Sequence, residues 1–179
     1  MPAAPRQAES AFIVRVPEAE ARIGELRRRF DASARLGVPE HITLLFPFMA
    51  PQQITGAVLR QAEAALAEVP AFSFRLHKVA RFPPAAYLAP EPAEPFIALT
   101  AALVHAFPAY PAFRGEHAGV VPHLTVAIGN AEEAGTAAAE LARLMRVHGP
   151  IAGHCSRVAL MENASGMWRD LHAFALPPR

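Results

Sequence analysis

The pattern histidine, any residue, threonine, with a proline one or two residues before the histidine, occurs twice, at Pro39-Glu40-His41-Ile42-Thr43 and about eighty residues later at Pro122-His123-Leu124-Thr125. Each copy lies in a run of strand-forming residues: Ile42 to Phe48 after the first histidine, Leu124 to Ile128 after the second. On an extended strand, His41 and Thr43 share one face, and Ile42, Leu44 and Phe46 the other. Likewise His123 and Thr125 share a face, against Leu124, Val126 and Ile128. With eight histidines and five threonines in the chain, chance supplies only about 0.2 His-x-Thr triplets, so a flanked pair is a signal. A chain that doubles such a strand is expected to be an internal duplication.

The order of elements repeats in the same way. An apolar run from Ala11 to Val16 follows a frayed tail and reads as a strand. Pro17 then opens a helix that reaches about Phe30, with Ile23, Leu26 and Phe30 at helical spacing. Its end, Arg27-Arg28-Arg29, reads as a solvated helix terminus or a phosphate contact. After a loop over 31–37 and the first motif strand, Pro51 starts a second helix that ends near Val69-Pro70. Phe72, Phe74 and Leu76 mark the inner face of a strand over 72–79. Prolines 83, 84, 90, 92 and 95 make 81–95 a turn-rich crossover with a short strand at Tyr87-Leu88-Ala89.

The second half repeats the series: a helix over 94–107, a loop over 108–119, the second motif strand and an Ala-rich helix over 131–147. Strands over 151–162 and 167–176 close the chain, joined by a turn over 163–166. The fold class is therefore α+β: a single two-lobed domain over 1–179, with antiparallel sheets lining a central cleft and helices outside. The first lobe is expected over about 10–80, the crossover over 81–95 and the second lobe over about 96–176.

Composition narrows the function. Hydrophobic residues make up 53% and charged residues 18% of the 179, ample for a core, and the net charge is +1. That balance excludes a protein that coats duplex DNA through its phosphates, but leaves room for a local anion pocket. No signal-peptide core or membrane-length apolar run is present, so a cytoplasmic protein with no membrane partner, and a monomer, is expected. The lone Cys155 reads as a small buried residue.

Two imidazoles and two hydroxyls around one phosphorus can open or close a phosphodiester without a metal. One histidine takes a proton, the other delivers one, and the threonines donate to phosphoryl oxygens. The doubled motif, with its flanks over 38–48 and 121–127 and the segment Tyr87-Leu88-Ala89-Pro90-Glu91-Pro92, resembles the 2H phosphoesterase superfamily, nearest the bacterial 2′-5′ RNA ligase/cyclic phosphodiesterase proteins. The resemblance covers nearly the whole chain. It implies His41 and His123 as the acid/base pair, with His41 the acid in hydrolysis, and Thr43 and Thr125 as phosphate clamps. It implies action on 2′,3′-cyclic phosphates or 2′-5′ linkages of RNA ends or small nucleotides, as in RNA processing, with no cofactor.

One position departs from the pattern. The RNA ligase members carry an arginine five residues after the second histidine, where this chain has Ile128. Arg81 and Arg35 are candidates to replace its charge. Tyr87 and Trp168 either stack on a base or pack at a lobe edge. The remaining histidines, at 77, 105, 117, 148, 154 and 172, lack ligand-like spacing, so no metal site is expected. Two alternatives stay open: a binding module that kept the pocket without turnover, and a metal-dependent hydrolase using the motif histidines as ligands.

Overall fold

A computed structural model describes residues 8–115 and 119–179; the expected N-terminal tail and His117 lie outside them. Its strands form two four-stranded antiparallel sheets. The first has the order β2-β1-β7-β8, from β1 (Ser10–Arg15), β2 (His41–Leu45), β7 (Arg157–Glu162) and β8 (Arg169–Ala175). The second has the order β5-β4-β3-β6, from β3 (Phe72–Phe82), β4 (Ala85–Glu91), β5 (Leu124–Ile128) and β6 (Ile151–Cys155). Both parts of the expected fold class, sheets inside and helices outside, are present.

Four α-helices cover one side of each sheet. Helices α2 (Gly56–Leu66) and α3 (Glu94–Ala106) pack on each other and on the first sheet; α1 (Glu20–Phe30) and α4 (Ala131–His148) do the same for the second. Local chemistry sets their ends. Asn130 accepts from the Glu133 N–H at 2.9 Å while the Glu133 carboxylate reaches back to the Asn130 N–H, a reciprocal cap that starts α4. Pro51 makes only a 3-10 turn over Pro51–Gln53, because the Thr55 hydroxyl caps the Val58 N–H and starts α2 at Gly56. The opposite, uncovered face of each sheet is left to line a cleft.

The route of the chain departs from the sequence expectation twice. The proline-rich segment is a hairpin of two long strands: Pro83 and Pro84 form its turn, while Pro92 and Pro95 lie around the start of α3. The prolines sit where no ladder N–H is needed, so they do not break the strands. The single strand expected over 151–162 is interrupted at Ser156. Its first part pairs with β3 and its second with β1, in different sheets. The first sheet thus joins the beginning of the chain to its end.

The main core lies between the sheets' covered faces and the helices. Phe12, Phe48, Phe107 and Phe174 meet there with ring centroids 4.9 to 5.9 Å apart, and burying such rings is a dominant stabilising term. Cys155 is part of this core, and burial pushes its thiol up to about 12. Among the described residues, no helix is long and apolar enough to cross a membrane.

Candidate active site

The motif strands occupy edges. β2 borders the first sheet, β5 borders the second, and the two edges touch. His41 is the ladder partner of Arg15 and Thr43 that of Ile13; Thr125 is the partner of Tyr87. Ladder partners share a face, so both threonines and His41 lie on the uncovered sides. His123 directly precedes β5, and its ring lies 5.2 Å from that of Tyr87. The four motif residues are half-buried, at the seam between the sheets.

Both imidazoles are held by one device. The Nδ1–H of His41 donates to the Pro39 carbonyl at 2.7 Å, and that of His123 to the Val121 carbonyl at 2.6 Å. A carbonyl only accepts, so each Nδ1 carries the hydrogen and, in the neutral ring, each Nε2 carries the lone pair. The charge of His123 reaches His41 electrostatically. Dense surrounding protein pushes His41 down to about 4, against the opposing pull of its hydrogen bond to Pro39; the nearby Arg27 also favours the neutral ring. In these surroundings His41 is a neutral imidazole at pH 7.

Behind His41 lies a buried ionic network that takes Arg27 out of the expected solvated arginine end, while Arg28 and Arg29 remain exposed. Arg27 is 1% exposed. Its guanidinium donates to Asp31 at 2.8 Å, to Glu40 at 3.1 Å and to the Val38 carbonyl at 3.3 Å. Asp31 also accepts from the Ser33 hydroxyl at 2.7 Å, so the loop entering β2 is tied to the end of α1. Burial raises the Glu40 carboxyl, and Glu20 faces it. Glu20 pushes Glu40 the same way while Arg27 opposes it, and Glu20 is itself lowered by its contacts with Glu40 and Arg28.

Each motif strand carries one extra residue, and the bulge turns the next side chains to the other face. The register skips Leu44 between Thr43 and Leu45, and skips Val126 between Thr125 and Ala127. Leu44 and Leu45 are both core residues, and Phe46 emerges on the uncovered side against Ala11, Ile13 and Trp168. This corrects the expectation that Phe46 shares the face of Ile42 and Leu44; Phe48 lies in the core instead. In the second motif Ala127 faces α4 with Ala86, while Ile128, partner of Ala85, falls on the face of Thr125 and is 55% exposed. Phe46 and Ile128 are therefore equivalent, each five residues after its histidine.

A cleft of about 1230 Å³ opens over the first sheet, lined by His41, Thr43, Phe46, Trp168, Asn163 and Arg114 among others. Trp168 meets Phe46 edge-on at 6.1 Å, so it both packs and faces the cleft. Tyr87 is buried beside His123. Arg81 goes elsewhere: it pairs with Ala86 on the helix-covered side, and its guanidinium lies by Gly135 of α4. Arg35 is exposed on the 3-10 turn over Ala32–Leu36 and is not a lining residue. Among the described residues, no three His, Cys, Asp or Glu side chains converge as a metal-ligating group.

Sequence reasoning missed the aromatic surround of His123. Phe82 stacks on Tyr87 at 4.6 Å and meets His123 at 5.4 Å, while Phe113 lies at 6.3 Å. A third bulge, at His77, shifts Phe82 off the face of Phe72, Phe74 and Leu76, so alternation alone misplaces it. Phe113 and Arg114 adopt φ of 51° and 56°, a left-handed conformation unusual for residues with a side chain, and the Phe113 N–H donates to the Phe46 carbonyl at 2.9 Å. Arg114 pairs with Glu9 at 3.5 Å, and Arg15 with Asp170 at 2.6 Å.

Comparison with known proteins gives a consistent picture. The profile of the 2′-5′ RNA ligase superfamily matches residues 16–166. The solved structure of E. coli LigT with NADP+ is similar over 96% of this chain and 98% of that one, at 18% identity and a TM-score of 0.59. A structure described as a phosphoesterase is similar over 96% and 99%, at 16% identity and 0.61. LigT with 3′-AMP is similar over 96% and 99%, at 18% identity and 0.55. No curated protein sequence matches.

Proposed function

From the premise that this chain belongs to the 2′-5′ RNA ligase superfamily, the 2H phosphoesterases, we propose that it is a metal-independent phosphoesterase of 2′,3′-cyclic phosphates or 2′-5′ linkages in RNA ends or small nucleotides. The observation that carries this reading is the mirrored histidine pair. Two edge strands from different sheets meet, and each presents an Nε2 whose partner Nδ1 is bonded to its own backbone. The solved LigT complexes with 3′-AMP and NADP+ fit a nucleotide ligand.

In hydrolysis, one Nε2 removes a proton from water as the water oxygen attacks phosphorus. The bond from phosphorus to a ribose oxygen breaks, and that oxygen takes the proton from the other imidazolium. Thr43 and Thr125 donate to the non-bridging oxygens, where negative charge collects. His41 is the acid and His123 the base. Because burial holds His41 neutral, the bound phosphate's negative charge must first raise its proton affinity. Trp168 and Phe46 offer apolar surface for a base.

The test is turnover of a panel of 2′,3′-cyclic nucleotides and 2′-5′ dinucleotides in the presence of a chelator. His41→Ala and His123→Ala should each lower kcat by about 10²–10⁴-fold. Full activity in both variants overturns the reading, as does loss of wild-type activity to the chelator. A binding-only protein is favoured by one observation, the apolar, exposed Ile128 on the face of Thr125; it predicts nucleotide binding with no product on long incubation.

A further inference from the structure

The uncovered face of the second sheet continues well past the motif residues, and the register fixes what it presents. From the seam outward, Tyr87 pairs with Ala80, Ala89 with Lys78 and Glu91 with Arg75; on the far side Ser73 pairs with His154. The bulge at His77 leaves both His77 and Lys78 outside, so Lys78 and Arg75 lie on one face although three residues apart. Both are exposed, and neither enters an ion pair among the described residues, whereas the nearby Glu91 is held by His77 at 3.4 Å. Ala80 and Ala89 leave a low floor between these cations and the Phe82–Tyr87 stack, where Phe82 is 38% exposed. Beyond them a groove of about 890 Å³ is lined by Ser73, Arg75, His77 and His154 together with the carboxylates of Glu18 and Glu91.

An exposed ring next to the reacting centre, then a trough, then two cations outside any ion pair among the described residues, matches what a flexible polynucleotide needs. Bases stack on the ring, and phosphates pass the cations. We propose that this face is a track for the single-stranded RNA that leads into the motif site, with Phe82 as stacking platform and Lys78 and Arg75 as phosphate contacts. The inference rests on the phosphoesterase reading of that site and adds to it the path that the strand takes beyond the reacting end. A 2′,3′-cyclic phosphate closes the 3′ end of a strand, so the chain can leave in one direction only. The first sheet cannot serve equally, because the Arg15 and Arg114 side chains on its side are already paired with Asp170 and Glu9.

The experiment is fluorescence anisotropy of a labelled oligoribonucleotide of about six residues ending in a 3′-phosphate, with wild type and the K78A/R75A double variant, over a range of salt. The double variant should bind at least about tenfold more weakly, and its salt slope should fall by about 1.4 for two lost contacts. For turnover, the ratio of kcat/KM for a trinucleotide cyclic phosphate to that for the mononucleotide should fall in parallel. Equal affinity and slope in the two proteins overturn the track, and so does wild-type protein that binds the oligonucleotide no better than 3′-AMP. Binding that behaves as expected, with no turnover of any cyclic phosphate, sinks the catalytic reading and leaves the track standing.

Discussion

His41 and His123 make the same hydrogen bond with the same ring atom, each to the carbonyl two residues before it, at 2.7 and 2.6 Å. They lie on edges of different sheets, yet each backbone fixes the same tautomer and keeps the lone pair on the same nitrogen. The flanking sequences explain the likeness: a proline precedes each histidine closely, and an apolar strand comes after it. Their surroundings differ. His41 is backed by the Arg27 network, and His123 is ringed by Phe82, Tyr87 and Phe113.

Ile128→Arg places a cation on the face of Thr125, to which the second bulge turns position 128. Ile128 is exposed, so the substitution creates no cavity and no buried charge. One charge-assisted contact is worth about 1.5–3 kcal/mol. Binding of a phosphomonoester such as 3′-AMP should tighten by about tenfold or more, measured calorimetrically. Arg35→Ala, outside the cleft lining, should leave that affinity unchanged.

Arg27 should be a stability determinant far out of proportion to its place in an arginine run. Arg27→Ala leaves Asp31 and Glu40 facing each other without their shared cation, and breaking a buried pair in this way costs about 3–5 kcal/mol. Arg28→Ala, which removes an exposed pair with Glu20, should cost less than about 1 kcal/mol. Urea midpoints of the two variants check the contrast. Arg27→Lys should rescue little, since an ammonium cannot span Asp31 and Glu40 as the planar fork does.

His41 also makes stability depend on pH. In the unfolded chain it protonates near its ordinary 6.5, while in the fold it resists protonation down to about 4. Between those values the unfolded state binds more protons, so unfolding free energy rises with pH across that window. The contribution is fully present above 6.5 and is lost as pH falls through 4, on the order of 1–3 kcal/mol. In His41→Gln this part of the slope should disappear, as chemical denaturation at about pH 4.5 and about pH 7 will show. Added phosphate, by stabilising the imidazolium in the fold, should raise the proton affinity of folded His41 and so shrink this loss of stability at low pH.

The sequence carried the parts of this fold that rest on periodicity and missed those that rest on a single inserted residue. The two motif strands, the helix ending at Phe30 and the inner face of Phe72, Phe74 and Leu76 come from spacing alone. Phe46, Ile128 and Phe82 are each one residue out of phase with simple alternation, because bulges at Leu44, Val126 and His77 change which side the next side chain takes. Alternation cannot locate a bulge, since apolar residues such as Leu44 and Leu45 fit a core from either position. Arg27 escapes a sequence reading for a related reason: its partners Asp31 and Glu40 are visible in the sequence, but only the fold of the loop between them brings both to one guanidinium. The switch of sheets at Ser156 likewise leaves no mark in a run that reads as one strand.

The most direct test of the paired-histidine account is a titration of histidine-labelled protein with 3′-AMP, tracking the nitrogen shifts of both motif imidazoles. The account predicts that Nε2 of His41 and of His123 move together along one binding curve, that both Nδ1 atoms stay protonated, and that His41 takes up a proton as the nucleotide binds. Movement of only one ring, or two curves with different midpoints, would contradict it.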